Sequence, residues 1–572
     1  MGVLVVKFLE YSLGKRLLVV AVACFRIQLG HAFCVAAFLL LCSQTARGTD
    51  INEDTFRDNL RVLASDNFEG RAPASRGGDL TTEFLVEKLA SYGVLPGNKG
   101  RFKQEVPLQV HETQPATKMT FEVGSKDFPL RYGQDFVVKT RRQVQQYSQD
   151  KGEIIFVGYG IVAPEFDWND YDGIDVTGKT VVVLVNDPGF ASNDEELFSG
   201  KNMTYYGRWT YKIEEASKQG ADGVILVHEE QAATYPWEVV YSLTANKQHS
   251  LLAASKNTQP IAFEGWITNE VARKVFTLSG NNYDALVASA SLPGFKAAYL
   301  DAELSLSIEN TYGFVKSDNV IGIIPDTTRA DEYILFVSHW DHMGQSNKQG
   351  QDTIYNGAVD NATGVAGLLE LAKAFATAKI TTERTVVILS VTAEEYGLLG
   401  SKYYVQNPVF PLNRTAAIFN IDMLNVFGPT SDISVSGYGR SDLDAYVEQT
   451  GQQHQKAISK NPGAERGRYY RSDHFNFAKA GVPALFILPG QNHRVHGREW
   501  MGDREAEYYA ERYHTPEDEY HENWDLSGAV EDLKFIFDLG NLLANSKSFP
   551  CLAFDNEFRE VRNQSMERSS CG

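Results

Sequence analysis

Apolar and polar positions along this chain follow two periods, and the changes between them lay out its elements. Phe56, Leu60, Leu63 and Ala64 recur at helical spacing behind Asn52 or Asp54 as caps. The loop FEGRAPASRGG follows, and then a second helical stretch from about Leu80 to Tyr92, closed by Gly93. From Gln104 to Val138 the pattern alternates as strands do. Short apolar runs at Glu153–Tyr159, Thr180–Val185 and Gly223–Val227 read as buried strands, with a helix at Lys212–Ala221 before the last. Between Glu229 and about Ser305 the chain is mixed and polar.

A second set of buried strands follows at Tyr333–Val337, Thr385–Val391, Ala416–Ile421 and Val482–Leu488. Helical patterns accompany them: Val365, Leu368, Leu369, Ala372 and Phe375 share one face, as do Val530, Leu533, Phe537, Leu539 and Leu543 within Leu526–Asn545. This alternation predicts an α/β fold, a mixed and mostly parallel sheet flanked by helices.

Chemistry-bearing residues cluster where those strands end. HWDHMGQSNKQGQDTIYNGAVDNATG, from His339 to Gly364, leaves the first strand and enters a helix, so Asp360 stands just before the helix. Ligands bind at that edge of an open α/β sheet. His339 can ligate a divalent metal, Asp341 can fix its tautomer by accepting the other ring N–H, and Asp360 has two oxygens with which to bridge two ions. Glu394 and Glu395 lie at the exit of the second strand and Asp422 at that of the third. His514 stands in YHTPEDEY, where Thr515 is expected to cap a helix.

The motifs HxD, GAxDNxxG, AEExGLxGS, NxDM and the late histidine resemble the M28 family of co-catalytic zinc peptidases, over Asn319 to about Ser546. The resemblance implies the zinc exopeptidase fold and two Zn2+ ions. His339 and Asp422 would hold one ion, Glu395 and His514 the other, and Asp360 would bridge them. Glu394 would be the general base and Asp341 the partner of His339. A tyrosine near SDH serves the oxyanion in that family, and Tyr469 or Tyr470 matches approximately. His474 is a candidate for the substrate cleft, and His493 and His496 for its rim. LASDNFEGR near the start is similar to the N-terminal part of M28 domains. GYGIVAPEFDWNDYDGIDVTGKTVVVLVND with ASKQGADGVI resembles the β-rich protease-associated domain inserted in many of them.

Length, charge and cysteines complete the expectations. A chain of 572 residues exceeds one ordinary core. The expected units are a leader at 1–48, the first part of the peptidase domain at 49–150, the insert at 151–305, the M28 domain at 306–546 and a tail at 547–572. Lys15 and Arg16, the apolar runs Leu17–Cys24 and Ala32–Cys42, and the small Ala46 and Gly48 before Thr49 compose the leader. Neither run reaches the ~20 residues of a membrane span, so no stable anchor is expected once the leader is removed. A secreted or periplasmic location follows, in which Cys551 and Cys571 would pair. The formal net charge of −19 argues against nucleic acid as a partner. Neither a G-x-S-x-G elbow nor a cysteine near the motifs supports serine or cysteine catalysis. The expected activity is an aminopeptidase acting on peptides. A carboxypeptidase, a dipeptidase, a glutaminyl-cyclase-like transferase and a non-catalytic relative remain as alternatives.

Overall fold

The computed structural model describes residues 51–566 apart from 193, 246, 253–260, 326–327, 347–351 and 379–380. The expected leader and Cys571 lie outside the described residues. Among those described, no helix is long and apolar enough to cross a membrane.

The site is carried by a sheet that is parallel at its centre and antiparallel at its edges. Strands Arg384–Val391, Arg329–His339, Thr415–Ile421 and Ala484–Leu488 lie side by side in that order, all parallel. Three of the four are buried along their whole length. That explains their continuous apolar runs, since helices cover both faces of such a strand. On one face, Val365, Leu368 and Leu369 of helix Gly364–Thr377 join Leu533, Phe537 and Leu543 of helix Ser527–Asn545 and Phe56 and Leu60 of helix Glu53–Leu63 in one core. Asn52 caps the first helix, its Oδ1 accepting from Asp54 N at 2.7 Å. On the sheet's outer side, Ser434–Ser436 runs antiparallel to Ala484–Leu488.

A second sheet is joined to the first by one strand, Ala298–Ile324. Its first part pairs with Gln146–Phe156 and Lys118–Val123, and its later part with Lys103–Thr113 and then Arg384–Val391. The second sheet also contains the parallel strands Thr180–Leu184, Gly223–His228 and Phe263–Thr268, edged by Phe136–Lys139. Lys118–Lys139 thus pairs within this sheet, although it precedes the boundary expected at 151. Alternation alone could not show which sheet each strand joins. The reverse holds for Gln248–Leu251, which lies within the expected insert but pairs with Lys103–Thr113 of the first sheet.

The expected tail is partly folded. Arg559–Met566 is a helix, and the buried Arg562 donates to Leu412 O at 3.0 Å and Thr415 O at 2.9 Å. Cys551 is disulfide-bonded.

Arg71, from the early glycine- and arginine-bearing loop, is fully buried beneath the His339–Gly364 segment. It donates to Leu63 O at 2.8 Å, Trp340 O at 3.0 Å, Asn356 O at 2.5 Å and Gly357 O at 2.9 Å. Burial pushes its guanidinium down to about 10, against the pull of Asp518 and Asp360. Arg71→Met should strand these carbonyls without donors and destabilise the fold by at least ~3 kcal/mol. Lysine, with a point charge in place of the fork, should restore only part of that loss. An unchanged denaturation midpoint in Arg71→Met would show that other contacts hold the loop.

Candidate functional site

His339 is the last residue of its strand, Asp422 directly follows strand Thr415–Ile421, and Glu394 and Glu395 follow Arg384–Val391 across a left-handed Ala393 at φ 53°. The bend at Ala393 turns the two adjacent glutamates to different partners. Asp360 precedes helix Gly364–Thr377, in a loop gathered by side chains. Asn361 Nδ2 donates to Ser338 Oγ at 3.1 Å, and its Oδ1 accepts from Gly364 N and Met423 N at 3.0 Å each. Asp518 accepts from Val359 N at 3.0 Å and Asp360 N at 3.1 Å. The loop also depends on Gly357, at φ +52°, where a Cβ would stand 2.2 Å from Asp360 O and 2.5 Å from the His342 ring.

These elements bring the predicted polar residues into one buried cluster. His339 Nε2 lies 3.4 Å from Asp360 Oδ1 and 3.4 Å from Asp422 Oδ1. His514 Nε2 lies 3.2 Å from Asp360 Oδ2 and 3.0 Å from Glu395 Oε2. Asp360 therefore turns one oxygen to each imidazole. Ligand atoms of His339, Asp360 and Glu395 fall within 4.8 Å of one another, as do those of His339, Glu394 and Asp422.

Asp341 differs from its expected contact. His339 Nδ1 meets the Asp341 backbone carbonyl at 3.1 Å, whereas the carboxylate is 3.9 Å away. That carboxylate instead accepts from Glu394 N at 3.0 Å, so it positions the glutamate more directly than the histidine. Thr515 also departs from expectation. Its hydroxyl donates back to Arg512 O at 2.8 Å, closing the preceding helix Gly497–Glu511 in place of opening a new one.

Five other candidates stand apart from the cluster. Tyr469 and Tyr470 pack against each other at 5.3 Å, and Arg440 lies over the Tyr469 ring at 4.5 Å. His474 is fully buried between Tyr469 and Phe486, at 4.8 and 5.2 Å, which is core packing and not a cleft wall. His493 is buried against Trp500 at 4.8 Å, with the exposed His496 stacked beside it.

The structure adds residues that were not singled out. His342 Nδ1 lies 2.6 Å from Glu395 Oε1. Tyr513 stacks on His514 at 3.8 Å. Ser472 Oγ donates to Asp422 Oδ2 at 2.8 Å and accepts from Asn420 Nδ2 at 2.7 Å. Asp473, fully buried, accepts from Ser401 Oγ at 2.5 Å. The strings HWDH and YH each carried one of these and SDH carried two, beside residues already noted, but adjacency in a loop does not say which side chain turns inward.

Charge shows what the cluster can hold. Asp341, Asp360, Glu394, Glu395, Asp422 and Asp473 are drawn around His339, His342 and His514, most of them buried. Burial and the neighbouring charge of Glu395 push Glu394 well above the usual carboxylate range. Burial also raises Asp341, to about 7, and Asp473, to about 6. Burial opposes charge on the histidines too, yet Glu394 and Asp422 hold His339 well above its ordinary value. Glu395 and Asp360 likewise raise His514 to about 10. Against the same burial, hydrogen bonds from His339 and His514 hold Asp360 well below its ordinary range. Arg71 spends its donors on carbonyls, so the excess negative charge calls for cations. Imidazole nitrogens and carboxylate oxygens are the donor set that zinc takes.

Protons on His339 and His514 compete with such a cation. Zinc binding near pH 7 should therefore release protons from both imidazoles, and affinity should strengthen as pH rises toward about 10, where His514 titrates. Calorimetry in buffers of different ionisation enthalpy measures that release. Affinity independent of pH, with no proton release, would contradict this account.

Residues 319–536 match Peptidase family M28. Among curated proteins, the chain is 27% identical over 250 residues to "Aminopeptidase YwaD" of Bacillus subtilis (strain 168), covering 42% of this chain and 48% of that protein. It is 28% identical over 180 residues to mouse "Aminopeptidase NAALADL1", covering 29% of this chain and 22% of the relative. It is 31% identical over 157 residues to "Leupeptin-inactivating enzyme 1" of Streptomyces exfoliatus, covering 26% and 34%. The chain thus spans between about a fifth and a half of the length of these relatives. Among solved structures, an aminopeptidase from Aneurinibacillus sp. strain AM-1 aligns with a TM-score of 0.45 and 20% identity, over 86% of this chain and 93% of that one. Every residue of the His339–His514 cluster falls within the segment that matches peptidase family M28.

Proposed function

We propose that the protein is an exported di-zinc exopeptidase that removes N-terminal residues from peptides. The observation that carries this reading is Asp360, whose two oxygens face His339 at 3.4 Å and His514 at 3.2 Å. His339 and Asp422 would hold one ion and Glu395 and His514 the other, with Asp360 between them. Bound zinc would supply Lewis acidity, polarising the scissile carbonyl and lowering the pKa of a water. Glu394 takes the proton of that water and delivers it to the leaving amine. Its backbone is tied to Asp341, which keeps the carboxylate in place. His342 and Ser472 do the same for Glu395 and Asp422. Tyr513, beside His514, is better placed than Tyr469 or Tyr470 to donate to an oxyanion.

Substrate selection is read from the walls. A pocket lined by Met423, Val426, Phe427, Leu488, Met501 and Tyr508 opens directly after Asp422. Arg468 and Glu505, also on its wall, pair at 3.3 Å, which supports an apolar N-terminal side chain there. The second sheet, in the role of a protease-associated domain, restricts access to the cleft. Supporting this, Thr234, which follows strand Gly223–His228 of that sheet, accepts from Arg471 at 3.1 Å, next to the Ser472 that binds Asp422. Export is supported by the leader-like sequence and by the disulfide at Cys551.

The two adjacent glutamates give the decisive test. Glu394→Gln should keep its zinc and lose kcat by roughly 10²–10⁴-fold, as expected for a lost acid–base group. Glu395→Gln should weaken zinc occupancy and regain part of its activity in excess metal. Zinc per chain and kcat, measured for both variants, check this; zinc loss in Glu394→Gln alone would reverse the two roles. Peptides with a free N-terminus should be shortened one residue at a time, and equal turnover of N-acetylated peptides would favour a carboxypeptidase.

A further inference from the structure

A single serine hydroxyl is stranded on the wall of the pocket that opens after Asp422. Ser434, on the strand Asp432–Ser436, lines that pocket and is 1% exposed, and its Oγ is buried without a hydrogen-bond partner. Strand alternation places it there. Ile433 and Val435 join the core that contains Val365 and Leu533, so Ser434 faces the other way. The other polar side chains on the wall already have partners. Tyr508 donates to Asp518 Oδ2 at 3.1 Å, and Arg468 donates to Tyr509 Oη at 2.6 Å and to Glu505 at 3.3 Å. Asn425 is closed on Gly428 O and Phe427 N, and Gln491 Oε1 accepts from Arg498 at 2.7 Å. Of the buried side-chain polar atoms on this wall, Ser434 Oγ alone is left over.

For the fold by itself, serine is a poor choice at this position. A buried hydroxyl without a partner costs stability that alanine, one atom smaller, would not. An occupant that supplies the missing hydrogen bond removes the cost, and the rest of the wall says what that occupant is. Met423, Phe427, Leu488 and Met501 surround the space with apolar side chains, and thioethers pack well against ring edges. The empty volume of about 600 Å³, open mouth included, is within the range of ligand pockets. A charged side chain would lose its hydration here, with Arg468 and Glu505 already paired to each other. A carboxamide would bring several donors and acceptors to one hydroxyl. Leucine or phenylalanine would cover the apolar wall and leave Ser434 unmet. A phenol carries one hydroxyl on a flat apolar body, which matches wall and serine together.

We infer that Ser434 makes this pocket select an N-terminal tyrosine, whose phenol O–H pairs with the serine Oγ. The inference rests on the peptidase reading, in which the pocket receives the side chain before the scissile bond, and narrows it from apolar residues in general to an aromatic one with a polar tip. Ser434 acts on selection and not on the chemical step. Bound tyrosine satisfies the hydroxyl, whereas bound phenylalanine leaves it stranded, and a site built around a substrate hydroxyl rejects the analogue that lacks it.

Four substrates test this on the zinc-loaded wild-type enzyme: Tyr-Ala-amide, Phe-Ala-amide, para-fluorophenylalanyl-Ala-amide and Leu-Ala-amide. The kcat/KM for Tyr-Ala-amide should exceed that for Phe-Ala-amide by at least about fivefold, mainly through a lower KM. The fluorinated substrate is close to the tyrosyl one in size but cannot donate, so it should stay with Phe-Ala-amide. Ser434→Ala should bring the tyrosine-to-phenylalanine ratio toward one by raising KM for the tyrosyl substrate. A ratio near one in the wild type, which needs no variant to fold, overturns the assignment, while turnover of Leu-Ala-amide keeps the peptidase reading standing. A fluorinated substrate as good as the tyrosyl one overturns it as well, because ring size would then be the determinant. So does an unchanged ratio in folded Ser434→Ala. If the wild type cuts none of the four, the peptidase reading fails and the tyrosine pocket falls with it.

Discussion

The site depends on keeping carboxylates together where water cannot screen them. Asp360, between His339 and His514, is the centre of that arrangement, and most of its surroundings serve to hold it. Asp518 binds the backbone before it, Asn361 ties the loop to Ser338 and Met423, and Arg71 pins the carbonyls of Trp340, Asn356 and Gly357. Like charges drawn together in a poorly solvated place repel strongly, so such a cluster persists only when its framework is rigid and cations compensate it. A folded core alone would be better served by apolar residues there. The excess charge is therefore the physical sign of a metal centre.

The parallel sheet solves the geometric half of the problem. Adjacent parallel strands end at one edge, so residues far apart in sequence converge when each sits just past a strand end. His339, Glu395 and Asp422 do so, while Asp360 and His514 come from loops beside helices. The neighbouring Glu394 and Glu395 separate because Ala393 bends the backbone between strand and loop. One side chain meets the His342 and His514 rings, and the other lies among His339 and Asp422.

The second sheet is not a loosely tethered addition. A single strand, Ala298–Ile324, runs through both sheets, and Gln248–Leu251 returns from the region of the second sheet to extend the first. The hydrogen bond from Arg471 to Thr234 Oγ1 brings it close to Ser472 and Asp422.

The sequence by itself determined the fold class and the polar cluster, because both are written in local pattern. Runs buried on two faces stay apolar from end to end, and a metal site needs particular residue types just after them. Hence His339, Asp360, Glu394, Glu395, Asp422 and His514 were legible before any coordinates. What tertiary structure alone decided is which side chains turn toward one another. Asp341 offers His339 its carbonyl and keeps its carboxylate for Glu394 N; His342 and Tyr513 enter the cluster, while Tyr469, Tyr470 and His474 go to the aromatic core. Lys118–Lys139 joins the second sheet for the same kind of reason. Alternation records that a residue is paired and half-covered, but the partner strand and the direction of a loop side chain are set by contacts that the local pattern does not record.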